Sequence, residues 1–262
     1  MRIDATTRAL VTGASRGIGL AIARAIAGRG GAVGLLARSD LESLARELGP
    51  RAVALNADVG DREQVRRAVA QFISAAGGLD LVIANAGIAY YGPFLLQDVE
   101  HVEAMTRVNW LGTLYTVDAA LGHLIDRAHG HIVVVSSGAG LRSFPWAAGY
   151  GATKAAQRGF AEALRHELSG SGVSVTTVFP GEIGTSLHAH EKDAMPDWYH
   201  GDEAAVSADR LAAAILRAVE RDRRAVYYPP FVRLLGLNGI APRLSDAILR
   251  RLRGGTAAPR RD

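Results

Sequence analysis

Along the chain, short apolar runs alternate with longer amphipathic segments. The runs fall at 9–12, 32–37, 52–56, 79–84, 132–136, 173–179 and 225–228; each is rich in Val, Ile or Leu and lacks regular polar alternation. Strands covered on both faces of a parallel sheet have this pattern. The segments between them carry helix signals. Ser39-Asp40-Leu41-Glu42 has capping-box spacing and opens a helix that Gly49-Pro50 stops. Asp61 precedes a helix over 62–76 that closes at Gly77-Gly78. Residues 98–127 are long enough for two helices or one bent one, and 150–169 and 208–221 complete the set. This alternation predicts an α/β fold: a single-domain, Rossmann-type, doubly wound parallel sheet of about seven strands with helices on both faces.

Composition adds mostly exclusions. Hydrophobic residues make up 48% and charged residues 21% of the 262, an ordinary globular balance that rules out disorder or coiled coil for the whole chain. There is no Cys, so disulfides, thiolate zinc sites and a Cys nucleophile are excluded, and the eight His show no metal spacing. No metal is expected. The start, Met1-Arg2-Ile3-Asp4, has no long apolar core behind it, and no run reaches the ~18 apolar residues of a spanning helix; a cytoplasmic protein is expected.

The net charge of +4 comes from the end of the chain, where 243–262 hold six Arg and two Asp while the rest balances. A neutral body with a basic tail is a poor footprint for nucleic acid, and none is expected as a partner. Within the tail Leu244, Ile248 and Leu252 repeat at helical spacing, with Asp246, Arg250 and Arg253 turned elsewhere. Two uses stay open: docking on protein, or weak contact with a membrane surface. The expected division is one main domain over 1–230, in halves 1–130 and 131–230, followed by a basic amphipathic extension over 231–262.

The chemistry begins where the first strand ends, at Thr12-Gly13-Ala14-Ser15-Arg16-Gly17-Ile18-Gly19, with a helix following over 20–27. Three glycines there serve a tight turn, close approach of the backbone to a pyrophosphate, and close helix–strand packing. The helix N-terminus then offers unpaired N–H groups and a positive dipole end to phosphates. Tyr150 and Lys154 stand at i and i+4 of a later helix, on one face, so an ammonium can approach a phenol. With seven Tyr and two Lys in the chain, chance supplies only about 0.05 such pairs. A nearby cation favours phenolate and draws the phenol toward working pH. Ser136 and Ser137 end the fifth strand, at the carboxyl edge where open α/β sheets bind ligands, and alternation turns the two apart.

The loop over 12–19 resembles the cofactor loop of the short-chain dehydrogenase/reductase family, and further motifs follow in the family's order. Asp58-Val59 comes after the third strand, Asn85-Ala86-Gly87 after the fourth, and Pro180-Gly181-Glu182-Ile183-Gly184-Thr185 after the sixth. The resemblance spans 9–185 and fades after about residue 205. It implies that Gly13, Ser15, Arg16, Gly17, Ile18 and Gly19 hold the cofactor phosphates, that Asp58 and Val59 lie by the adenine, and that Asn85, Ala86 and Gly87 line the site. Pro180, Gly181, Ile183 and Thr185 would run along the nicotinamide, with Tyr150 and Lys154 touching the cofactor as well. It also implies four catalytic residues: Ser137 to bind the substrate oxygen, Tyr150 as the acid–base, Lys154 to keep Tyr150 acidic, and Asn109 to carry a water toward the lysine.

The cofactor expected is NADP(H) rather than NAD(H). The second strand ends Ala37-Arg38-Ser39, so the place of an acidic ribose ligand is held by Ala37, and Arg38 with Ser39 and Arg16 can meet a 2′-phosphate. The implied reaction is hydride transfer between the nicotinamide and a small-molecule carbonyl/alcohol pair, with an apolar ketone or secondary alcohol favoured. Two alternatives are kept: a non-catalytic NADP(H)-binding sensor, and a 3-oxoacyl-carrier reductase, whose Gly-rich last strand is missing here. Tyr90, Tyr91, Phe144, Trp146, Trp198 and Tyr199 lie in loops at the active edge, and a substrate flap is expected over 184–206. A homodimer or homotetramer through 98–127 and 150–169 is also expected, since Ala152, Ala155, Ala156, Gly159 and Ala163 permit close helix approach.

Overall fold

A computed structural model of the protein describes residues 1–183, 206–243 and 245–247. Its centre is a seven-stranded, all-parallel sheet in the order β3-β2-β1-β4-β5-β6-β7: β1 Arg8–Thr12, β2 Ala32–Ala37, β3 Ala52–Asn56, β4 Leu81–Ala84, β5 Gly130–Val135, β6 Val173–Pro180 and β7 Ala225–Tyr228. The chain winds outward from β1 to β3, then restarts at β4 beside β1. Strand order therefore reverses between β1 and β4, opening a crevice at their carboxyl ends.

The five inner strands are buried on both faces, as their unbroken apolar runs require, while the edge strands β3 and β7 are mostly half-buried. Alternate residues feed two cores. Ala9 and Val11 pack with Ile22 and Ile26 of α1 (Gly17–Ala27) and with Leu211, Ile215 and Val219 of α7 (Ala208–Glu220). Leu10 faces the other way, toward Val65, Val69 and Phe72 of α3 (Arg62–Ala76), Val117 and Leu124 of α5 (Gly112–Asp126), and Leu164 of α6 (Ala148–Glu167). At the amino edge, Asp80 is locked by Arg8, whose Nε and Nη2 donate to its two oxygens at 2.7 and 2.6 Å. Those bonds outweigh burial, which works against the charge, and hold the Asp80 carboxyl below its ordinary range.

Three expectations change in detail. The helix after β2 is α2 (Glu42–Leu48), and Ser39 takes no part in capping it: Leu41 stands at the N-cap position, and the Asp40 carboxylate accepts the Glu42 N–H at 2.9 Å. The carboxylate, one residue nearer the helix, reaches the first free N–H and displaces the hydroxyl from that task. The fourth strand starts at Leu81, because the Leu79 N–H is taken by His123 Nε2 at 3.1 Å rather than by a neighbouring strand. The long segment after β4 resolves into α4 (Val99–Met105), a π-helical turn at Thr106–Leu111 and α5. Thr185, the expected flap over 184–206 up to its last residue, with Trp198 and Tyr199, and the tail stripe of Leu244, Ile248 and Leu252 lie outside the described residues.

Candidate active site

The crevice has the backbone shape that a pyrophosphate needs. Gly13 adopts φ +67°, and a Cβ there would sit 2.9 Å from Ala86 Cα. A Cβ on Gly19 would collide with the Gly13 carbonyl oxygen and reach 2.7 Å from Asn85 Nδ2, so α1 packs on the loop only with glycine there. Arg16, at the N-cap of α1, offers no side-chain cap, which leaves the first-turn N–H groups pointing into the crevice. Arg16 and Arg38 are exposed, and their guanidinium groups make no hydrogen bond or ion pair with the described residues. Donors, dipole and free cations on one rim fit a phosphorylated dinucleotide.

Asn85-Ala86-Gly87 is fastened to this loop by a residue the sequence analysis passes over. Thr12 Oγ1 accepts the N–H groups of Asn85 and Ala86, both at 3.0 Å, and Asn85 Nδ2 donates to Thr12 O at 2.9 Å. The Asn85 amide and the Asn85 and Ala86 N–H groups are thus all spent on fixing the loop. Asp58 behaves similarly: its Oδ1 accepts the Gly60 N–H at 2.8 Å and shapes the turn after β3.

The reacting groups come from β5, the turn behind it, and the first turns of α6. Ser137 Oγ accepts the Ala139 N–H at 3.1 Å, which leaves its own proton available toward the Tyr150 phenol, whose pKa it works to lower. Ser136 points the other way and donates to Lys154 O at 2.8 Å, so it holds α6 instead of facing the crevice. Lys154 Nζ donates to Val135 O at 3.1 Å and lies 5.8 Å from the centre of the Tyr150 ring. Both residues are buried, Tyr150 at 5% and Lys154 at 3% exposure.

That burial reverses the expected titration of the phenol. Desolvation pushes Tyr150 up to about 12, against the Ser137 hydrogen bond that works to lower it. Desolvation likewise pushes Lys154 down to about 7, so the cation meant to lower the phenol is itself partly discharged near neutrality.

Asn109 sits in the π-helical turn and is fully buried. Its Oδ1 accepts the Ile88 N–H at 2.8 Å, and its Nδ2 donates to Ile88 O and Thr153 Oγ1, each at 3.0 Å. Gln157 Nε2 donates to Asn109 O at 2.9 Å. A Cβ on Gly87 would lie 3.2 Å from Asn109 Oδ1 and 3.5 Å from Lys154 Nζ, so the amide and the ammonium flank one small space. Thr153 and Gln157 are further site residues that sequence reasoning misses; their spacing from Tyr150 along α6 is the only signal they carry. Among the loop aromatics, Tyr91 packs at 5.6 Å from Tyr150 and 6.2 Å from Phe144, whereas Tyr90 stacks on His101 at 3.9 Å. Trp146 adopts φ +72°, and its carbonyl accepts the Gly92 N–H at 2.9 Å.

The family profile described as short chain dehydrogenase matches residues 7–196. Among curated proteins, the chain is 37% identical over 191 residues to glycine betaine reductase ATRR of Emericella nidulans, covering 71% of this chain but 15% of that protein. It is 34% identical over 242 residues to 11-beta-hydroxysteroid dehydrogenase 1A of Arabidopsis thaliana, covering 86% of this chain and 69% of that one. A crystal structure of a short chain dehydrogenase from Burkholderia cenocepacia in complex with NADP superposes with a TM-score of 0.80 at 29% identity, covering 97% of this chain and all of the other.

Proposed function

The chain belongs to the short-chain dehydrogenase family, and from that premise we propose that it is an NADP(H)-dependent oxidoreductase acting on an apolar ketone or secondary alcohol. One observation carries the reading: Ser137, just past the end of β5, is brought close enough to the Tyr150 phenol to act on it, with Lys154 Nζ 5.8 Å from the ring, at the carboxyl edge of the sheet next to the glycine loop. Two hydroxyls fixed together are suited to grip a single carbonyl oxygen, one as an orienting donor and the other as the acid. With its phenol held protonated by burial, Tyr150 donates to the oxygen as it gains charge. Lys154 restores the proton and stabilises the phenolate that forms. A water in the space beside Gly87, between Asn109 Oδ1 and Lys154 Nζ, would bring the replacing proton in from solvent. The bound nicotinamide supplies or accepts the hydride.

Gly13, Ser15, Gly17, Ile18 and Gly19 would hold the pyrophosphate, and Arg16 with Arg38 and Ser39 the 2′-phosphate. The NADP named with the Burkholderia structure supports this preference. An apolar substrate suits the apolar cluster of Tyr91, Phe144, Ala139 and Ala147 packed around Tyr150, and also the steroid in the name of the Arabidopsis relative. Function as a homo-oligomer belongs to the same reading.

The test is NADPH oxidation, followed by absorbance, against a panel of ketones and aldehydes, with the reverse reaction on secondary alcohols. Turnover on apolar ketones is expected. Tight NADPH binding without turnover on any member of the panel would instead mark a cofactor sensor.

A further inference from the structure

After β7 the chain forms a ten-residue 3-10 helix, Pro230–Gly239. A 3-10 helix has three residues per turn, so side chains three apart stand in one row. The three rows here differ sharply. Phe231, Leu234 and Leu237, continued by Ile240, are 65%, 64%, 54% and 82% exposed. Val232, Leu235 and Asn238 form the inner row and are buried or half-buried. The third row is Arg233, Gly236 and Gly239, all exposed. Runs this long are uncommon for a 3-10 helix, and the sequence here keeps four large apolar side chains in register on the solvent side.

The inner row meets the active edge. A Cβ on Gly138, the neighbour of Ser137, would lie 3.3 Å from Val232 Cγ1 and 3.2 Å from Leu235 Cδ1. A Cβ on Gly181 would lie 3.0 Å from Val232 Cγ2. One element thus touches the backbone beside the reacting serine with one row and presents apolar side chains to solvent with another.

Charge indicates what the outer row faces. Arg233 and Arg243 are exposed beside it. A second copy of the chain would bring the same positive charge, whereas an anionic lipid surface complements it and takes apolar side chains at the headgroup boundary. No helix among the described residues is long and apolar enough to cross a membrane, so the contact is peripheral.

We propose that Pro230–Gly239 is a docking edge for an anionic lipid surface, set beside the mouth of the active site. Given the hydride-transfer reading above, an apolar carbonyl substrate would then enter from the bilayer; docking itself does not depend on that reading.

The experiment is co-sedimentation of the full chain with vesicles, read without cofactor or substrate. The protein is expected to pellet with mixed phosphatidylcholine–phosphatidylglycerol vesicles, to stay in solution with phosphatidylcholine alone, and to be released by salt. The triple variant Phe231→Ser, Leu234→Ser, Leu237→Ser is expected to remain in solution with either vesicle while keeping the wild-type melting temperature. Arg233→Glu with Arg243→Glu, a surface pair that leaves the rows intact, is expected to weaken binding by about fivefold per arginine. The proposal is overturned if the wild type ignores the anionic vesicles or if the Arg pair variant binds them as tightly as wild type. A triple variant whose mass falls in light scattering without vesicles also overturns it, since the row would then face a second copy.

Discussion

At Tyr150, burial and hydrogen bonding pull the phenol in opposite directions, and the outcome decides which proton it can give. Pushed up to about 12, the phenol stays protonated across the neutral range. A carbonyl oxygen in the same place would take that proton only as charge builds on it. Tyr150→Phe removes the oxygen and little volume, so it should bind NADPH normally, by fluorescence titration, yet lose about 10²–10⁴-fold in turnover. Retention of more than a tenth of the wild-type rate would show that another group is the acid. Cofactor choice is also a single-residue matter. Ala37 closes β2 without a carboxylate, and the exposed Arg38 follows. NADPH should exceed NADH by at least tenfold in kcat/KM, a difference of ~1.4 kcal/mol. Ala37→Asp combined with Arg38→Ala should invert the order, because the new carboxylate accepts from a ribose 2′-hydroxyl and repels a phosphate. Equal kcat/KM with the two cofactors in the wild type would refute the assignment.

At the scale of elements, β5 and β6 are joined by a pair that makes the sheet acid-sensitive. His131 is buried, its Nε2 lies 2.7 Å from Thr176 Oγ1, and desolvation lowers its pKa from 6.5 to about 4. A depressed value means that the unfolded chain takes up the proton first. Stability should therefore be intact above about pH 6.5 and decline between there and about pH 4, by about 3 kcal/mol in all. Melting curves along that window test this, and His131→Gln should flatten the decline. At the seam of β1 and β4, Asp80→Ala should cost about 3–5 kcal/mol, since it strands the half-buried Arg8 guanidinium. These pairings also mark how far the sequence could be read. Strand positions were legible to within a residue or two, because burial on both faces leaves an unbroken apolar run. The places of the glycine loop between β1 and α1, of Ser137 just past β5 and of Tyr150 and Lys154 on one face of α6 were legible because they depend on local spacing. Partners distant in sequence were not. Thr12 reaches Asn85, Gln157 reaches Asn109, and Arg8 reaches Asp80 only once the sheet is assembled. The upward shift of Tyr150 was hidden for the same reason, as it follows from burial contributed by several elements. The three rows of Pro230–Gly239 were missed because the amphipathic reading of 231–262 rested on the stripe of Leu244, Ile248 and Leu252 further along.

For the whole molecule, the outer face of α6 bears on assembly. Its inward residues, Tyr150, Lys154, Gln157, Ala161 and Leu164, are buried in the site and the core. Its outward positions Ala152, Ala155, Gly159 and Ala163 are exposed, and a Cβ on Gly159 would meet nothing within 4 Å. Small side chains recover little area against water but let a second backbone approach closely, and closed two-fold symmetry sets the same stripe against itself. Beside the stripe, Phe160 meets Trp110 edge-on at 5.5 Å, an apolar flank that a partner helix could cover. A homodimer or homotetramer closed through α5 and α6 should result, with at least twice the chain mass by light scattering at micromolar concentration. Gly159→Trp, pointing into open space, should leave the fold and its melting cooperativity intact while reducing the mass to that of one chain. Because α6 also carries Tyr150 and Lys154 in its first turns, loss of the partner should lower turnover without changing the buried contacts of either residue. A wild-type protein that scatters as a single chain would remove this face as an interface, and the exposed alanines would then be no more than a helix surface of high propensity.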